Sequence, residues 1–202
     1  MTGRETADDS ALEAVKAVFH LYEPPLWLVT SEHGGKRGGF IATFVVRASI
    51  VAELPRMVVG VAKHHHTWGL IEGGGRLALH LIAKDDLEAV WRFGLASGHE
   101  TDKLAGLVRS ATPDGNPLYT PARAWLDCRV ETHMDTGDRS VYLGAVTGGD
   151  VLTSGPVLGV GTLLRDAPPE LRAVLDRLYA MDQATDAAAI RAWRASRVTC
   201  RV

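Results

Sequence analysis

Cysteine is nearly absent from this chain. Cys128 and Cys200 are the only two in 202 residues, too few for a disulfide framework and not spaced as a metal motif. Both are expected as reduced thiols. Neither sign of charge prevails: 22 Lys and Arg face 24 Asp and Glu, for a net −2. That balance excludes the broad basic footprint of a duplex nucleic-acid binder but leaves room for local basic pockets. Long apolar runs are missing as well. The longest charge-free stretch, 151–164, is interrupted by Thr, Ser, Pro and Gly and falls short of the ~20 residues of a membrane helix. The opening MTGRETADDS has neither the basic leader nor the apolar segment of a secretory signal, so a cytoplasmic protein is expected. No G-x-S-x-G, H-E-x-x-H or G-x-x-x-x-G-K-[ST] occurs, and the hydrolase and nucleotidase templates they stand for fail.

What is present is an ordinary globular composition, 46% apolar and 23% charged. Size scaling gives roughly 9,200 Å² of folded surface against about 31,500 Å² unfolded, so about 70% can be buried. One domain with appendages is expected, not two domains.

Leu12, Val15, Phe19 and Tyr22 recur at helical spacing, predicting a helix over 11–22 that Ser10 can cap and Pro24 and Pro25 end. From there the punctuation changes. Short runs rich in Val, Ile, Leu and Trp alternate with Gly, Asp and Pro turns, predicting strands at 26–31, 39–50, 56–62, 76–82, 124–133 and 140–147. Glycine and Asp between the first two and the last two, at 33–38 and 135–138, predict hairpins. Helices are predicted at 66–72 and 85–95, and the fold class is α+β, mainly β. A glycine-rich stretch to Gly161 precedes a predicted helix over 168–193, with Leu171, Val174, Leu175, Leu178 and Tyr179 on one face. The core domain is placed at 11–150 and a mostly helical extension at 151–202.

Lys63-His64-His65-His66-Thr67 has three readings. In an extended segment His64 and His66 would share a side and hold a metal ion, though no nearby third ligand completes such a site. As a turn opening into a helix, Lys63, the imidazoles, the Thr67 hydroxyl and the first amides would face a phosphate. As a polar loop it would be solvated, and spacing alone favours this last reading. Thr43, Val45, Arg47 and Ser49 alternate along the second strand, so that strand presents either a wet edge face or a ligand-lined groove. Gly159-Val160-Gly161 lacks the third glycine of a dinucleotide fingerprint and is expected to be a flexible connection. Trp125 and Cys128 are expected in the core.

Several short motifs then fall in one order: Trp27-Leu28-Val29-Thr30, Ala42 to Ser49, Pro55, Ala62-Lys63 with Thr67, and Leu77-Ala78-Leu79-His80. Asp102-Lys103-Leu104-Ala105-Gly106-Leu107, Gly115-Asn116-Pro117-Leu118, Trp125 to Val130 and Gly137-Asp138 follow. Over residues 12–147 this arrangement resembles the flavin reductase-like family of FMN-binding split-barrel proteins. The resemblance implies a six-stranded antiparallel split barrel that forms a homodimer, with flanking helices and FMN along the second strand. It implies Ala42 and Thr43 at the ring edge, Arg47 and Ser49 toward the ribityl or phosphate end, and Lys63, His64 and Thr67 on the phosphate. Lys103 joins this cofactor-binding set. It also implies a nicotinamide nucleotide, NADH or NADPH, as electron donor, and free flavin or an oxygenase as the partner served. A non-reductase FMN carrier is the alternative. The chain departs from the pattern where Arg139 stands for a His after the Gly-Asp hairpin, where His80 stands for an Asn, and in the stretched step 49–56. The His is associated with the nicotinamide side in relatives, so Arg139 would meet a nicotinamide phosphate or an acidic donor instead.

Overall fold

Two glycines make the first turn of the sheet. In the computed structural model, which describes residues 9–107 and 110–199, Gly34 and Gly35 both have positive φ, 59° and 75°. A two-residue hairpin of type I′ needs that geometry at both positions. β1 (Trp27–His33) therefore returns at once as β2 (Lys36–Ala42), with His33 opposite Lys36, and the loop expected over 33–38 shrinks to two residues.

The long strand expected over 39–50 is broken at Thr43-Phe44, and β3 (Val45–Arg47) follows. The reason lies in the sheet. With β4 (Arg56–Ala62), β5 (Arg76–Leu81), β6 (Ala124–Asp135) and β7 (Arg139–Val151), the order is β2-β1-β5-β6-β7-β4-β3, every neighbour antiparallel. β2 and β3 are its two edges, yet two residues join them, so the sheet must curl round on itself as a barrel does. Phe44 forms the corner: its carbonyl accepts the Gly60 N–H at 2.9 Å, and its ring covers Gly60 so closely that an added Cβ would overlap it. Seven strands thus stand where six were expected. The same corner breaks the alternation of Thr43, Val45, Arg47 and Ser49: Val45 is buried, whereas Thr43 and Arg47 are exposed.

Strand alternation then builds two cores. Val29, Phe40, Val59, Val61, Leu77, Leu79 and Tyr142 fill the barrel, with Cys128 buried among them. Leu26, Leu28 and Ile82 face the other way and pack with Val90, Phe93, Leu104 and Leu158. Each such side chain contributes about 1.5–3 kcal/mol on burial.

The helices are α1 (Asp9–His20), α2 (His66–Gly74), α3 (Leu87–Gly94), α4 (Val160–Asp166) and α5 (Pro169–Thr199). α1 reaches back to Asp9, placing Ser10 inside the helix rather than at its cap. The Asp86 carboxylate caps α3 by accepting the Ala89 N–H at 3.1 Å. The Gly159-Val160-Gly161 fragment is no flexible connection: it opens α4, and Glu23 Oε1 accepts the Gly161 and Thr162 amides at 3.0 and 3.3 Å. The surface is 12,255 Å², well above the roughly 9,200 Å² scaling value. Exposed helix residues contribute to it: Val18 and Phe19 of α1 are exposed, and no described side chain of α5 is fully buried. No helix among the described residues is long and apolar enough to cross a membrane. Cys200 lies outside the described residues.

Candidate functional site

β4 ends beside the β6–β7 hairpin, Ala62 opposite Arg139, and the Lys63 N–H bonds to the Asp138 carbonyl at 2.9 Å. The chain then turns into α2, whose cap residue His65 is extended (φ −72°, ψ 135°) and makes no side-chain cap bond. The first amides of a helix have no partner within its regular ladder; the Trp68 N–H turns back to the His65 carbonyl at 3.0 Å, and no partner of the His66 and Thr67 amides is found among the described residues. Thr67 is buried, and Gly38 lets α2 lie flush on β2: an added Cβ there would come within 2.9 Å of the Thr67 hydroxyl.

Because His66 is already helical, His64 and His66 do not share a side. His66 meets His99 edge-on with ring centroids 5.2 Å apart, while His64 faces Asp182 and Asp186 of α5. The metal reading loses its convergent pair, and no cluster of metal-ligating side chains is found among the described residues.

The turn opens on a cavity of about 390 Å³, in the size range of small-molecule sites. His65, His66, His99 and Lys103 make one wall. Val90 and Phe93 of α3 with Leu163, Leu175 and Leu178 of α4 and α5 make an apolar one. Lys103 is 8% exposed and has no carboxylate partner among the described residues. Burial alone pulls its ammonium down to about 8. Burial pulls the His65 imidazole down to about 4, with His64, Lys103 and Arg139 adding to the effect. His66 is lowered by burial, then by His99, Lys36 and Lys103. Groups that resist their own positive charge in this way would be relieved by one anion among them.

The structure brings His64, Thr67 and Lys103 to this cavity and leaves the other expected residues outside its lining. Lys63 pairs with Asp135 at 2.7 Å. Ala42 is buried in the barrel core, and Thr43 sits exposed at the corner. Arg47 lies opposite Met57 and donates to the Ser49 carbonyl at 2.7 Å. Met57 and Ala62 are near opposite ends of β4, about 15–20 Å apart at strand rise. Within one chain, the length of β4 thus separates Arg47 and Ser49 from His64 and Thr67. His65 and His66 were visible as neighbours in the histidine run. His99 and the α5 side chains carried no local signal.

The two departures are also placed. Arg139 is engaged by two carboxylates, Asp138 and, at 2.6 Å, Asp186. His80 is fully buried, bonding the Leu28 carbonyl and accepting the Tyr119 amide at 3.2 and 3.1 Å.

Residues 19–159 match the family model described as flavin reductase like domain. The chain belongs to this family. Among curated proteins it is 29% identical over 139 residues to a high molecular weight rubredoxin of Moorella thermoacetica, covering 68% of this chain and 60% of that one. It is 30% identical over 100 residues to the reductase subunit HsaB of a flavin-dependent monooxygenase of Rhodococcus jostii, covering half of each. The chain spans 60%, 22% and 50% of the length of three such relatives, the second a diflavin flavoprotein of Synechocystis. Among solved structures, the flavin reductase domain protein of Arthrobacter superposes with a TM-score of 0.65 at 22% identity, over 73% of this chain and 89% of that one. Nitrilotriacetate monooxygenase component B of Mycobacterium thermoresistibile superposes at 0.63 and 23% identity, over 76% and 89%. These likenesses establish the fold as that of flavin reductase domains.

Proposed function

We propose that this chain is an FMN-dependent oxidoreductase that takes electrons from NADH or NADPH and works as a homodimer, supplying reduced flavin to an oxygenase. The observation that carries the reading is the cavity: uncapped α2 amides, the Thr67 hydroxyl, four imidazoles and the Lys103 ammonium, which has no carboxylate partner among the described residues, stand against an apolar wall. That donor set suits a phosphate joined to a planar apolar body, and charge-assisted bonds of this kind are the strong ones. Lys103, His65 and the α2 amides would hold the phosphate. Phe93, Leu175 and Leu178 would cover apolar surface and exclude water. When bound, FMN supplies the hydride-accepting chemistry, and the protein supplies position and charge.

Relatives support the remaining elements. One structural neighbour is named an NADH:FAD oxidoreductase, of Streptomyces globisporus, and another a flavin reductase component of a two-component tryptophan halogenase. The monooxygenase reductase subunits among the curated relatives support the oxygenase partner. Exposed apolar residues on β3 and the step after it, Val46, Ile50, Val51 and Leu54, support the dimer. The proposed domain ends near residue 150, where β7 does, and α4 and α5 form the extension.

The test is an absorption spectrum of the purified protein with and without added FMN, then oxidation of each nicotinamide nucleotide. A flavin band near 450 nm and turnover with one nucleotide are expected; no band after reconstitution would refute FMN binding. A flavin band without turnover would instead support an electron carrier, a reading favoured by Arg139 being occupied by Asp138 and Asp186.

A further inference from the structure

α5 begins ten residues beyond the family match, which ends at 159, so its side chains are additions to the domain. It places two carboxylates against the turn that follows β4. The His64 ring lies between them, Nε2 3.4 Å from Asp182 and Nδ1 3.7 Å from Asp186. Asp186 also accepts from Arg139 at 2.6 Å. One helix thus occupies an imidazole and a guanidinium with acidic oxygens, as a bound phosphate would.

The fit is poor. His64 Nε2 is shut off from water, yet it makes no hydrogen bond. Asp138, Asp182 and Asp186 crowd around one guanidinium and one imidazole, and burial together with the two neighbouring carboxylates pushes the Asp186 carboxyl up. α5 is held by half-buried side chains, among them Leu175 on the second core and Trp193 beside Gly137, and no described side chain on it is fully buried, which places it toward the low-stability end of the fold.

We propose that His64 and Arg139 form a phosphate-binding site, and that Asp182 and Asp186 of α5 keep it closed as a built-in competitor. A phosphate monoester carries about −1.5 to −2 charge on three acceptor oxygens. One such group replaces both carboxylates and accepts from the His64 imidazole and the Arg139 guanidinium at hydrogen-bond distance. α5 then leaves, and the cavity that Leu175, Leu178 and Asp182 wall off opens. The phosphate is the nicotinamide nucleotide's if Lys103, His65 and the α2 amides hold the flavin's, and the flavin's if they do not. That choice rests on the flavin reductase reading, whereas the site itself does not.

The experiment follows hydrogen exchange of α5 amides in the full-length protein, in chloride and in inorganic phosphate at equal ionic strength. Phosphate is expected to speed exchange in α5 about tenfold, a common size for coupling between two sites, and to leave α3 unchanged. The Asp182→Asn, Asp186→Asn double variant is expected to exchange fast without phosphate and to bind phosphate about tenfold tighter. Unchanged α5 exchange in the wild type overturns the proposal, and this measurement needs no variant to fold. Comparing FMN with riboflavin, and NADPH with NADH, identifies the source by which phosphorylated member releases α5. Release by inorganic phosphate in a protein that binds no flavin would sink the flavin reading and support the site. Flavin binding and turnover with α5 still protected under phosphate would do the reverse.

Discussion

Lys103 donates from Nζ to the carbonyl oxygen of Phe93 at 2.7 Å while only 8% exposed, and no carboxylate among the described residues is within ion-pair reach. A buried cation without a counter-ion is costly, and burial brings this one down to about 8. The unfolded chain keeps its proton up to the ordinary lysine range near 10.4. Between those values the unfolded state binds more protons, so stability rises with pH across that window.

Lys103→Met tests this directly. The variant is expected to lose the alkaline rise in melting temperature and to weaken FMN binding by about 1.5–3 kcal/mol, the range for a lost bond to a charged group. Lys63→Ala removes only a half-exposed ion pair with Asp135, so about 0–1 kcal/mol is expected. Thermal melts from pH 7 to 10.5 and a flavin titration check both. Equal losses of flavin affinity in the two variants would mean that the phosphate lies elsewhere.

His80 makes a second case. It accepts the Tyr119 amide on Nε2, and its Nδ1 faces the Leu28 carbonyl. Burial holds it near 4, and the Leu28 bond offsets this only in part. Below about 6.5 the unfolded chain takes up a proton that the folded protein refuses, so stability is lost as pH falls from 6.5 toward 4. His80→Leu leaves the Tyr119 amide without an acceptor and is expected to cost about 1–3 kcal/mol at pH 7. It should also flatten the acid limb, leaving the part that His65 supplies. Urea unfolding at pH 7 and pH 5 measures both, and an acid limb unchanged in His80→Leu would rule the assignment out.

These two positions show what a sequence exposes and what it hides. Val29, Leu77, Leu79 and Cys128 were legible because alternation alone puts them on one face of a strand. The turn from Lys63 to Thr67 stood out as five polar residues after a strand, but spacing alone favours a solvated loop there, and the preference for the phosphate reading comes from the family resemblance. The corner at Thr43-Phe44 was not legible: 39–50 reads as one continuous strand, and only the need to pair β2 with β1 and β3 with β4 bends it. Arg47 and Ser49 were placed toward the ribityl or phosphate end by the family resemblance, on the premise of that unbroken strand. His99, Asp182 and Asp186 reach the site from residues 35 to 122 positions away from His64. No local pattern encodes such a meeting.

The corner itself can be tested. At Gly60 the Phe44 ring takes the space of a side chain, so Gly60→Ala must displace the whole ring. Overpacking of this kind costs about 1–3 kcal/mol. Phe44→Ala in the Gly60→Ala background is expected to restore part of the loss, giving a favourable coupling in the double-mutant cycle. Additive effects would show that the ring does not set the bend.

The proposed dimer gives the last prediction. Val46 on β3 is 42% exposed and Ile50 93% exposed, on the sheet's terminal strand and the step that follows it. An exposed apolar cluster on a sheet edge favours self-association, and a two-fold dimer would bring the same patch from both copies together. Sedimentation equilibrium is expected to give twice the 21.7 kDa chain mass. Ile50→Glu places a charge on each side of that contact and is expected to shift the equilibrium to monomer, with the melting temperature of the barrel little changed. A wild-type protein that sediments as a monomer would refute the dimer, and an Ile50→Glu variant that remains dimeric would move the interface away from β3.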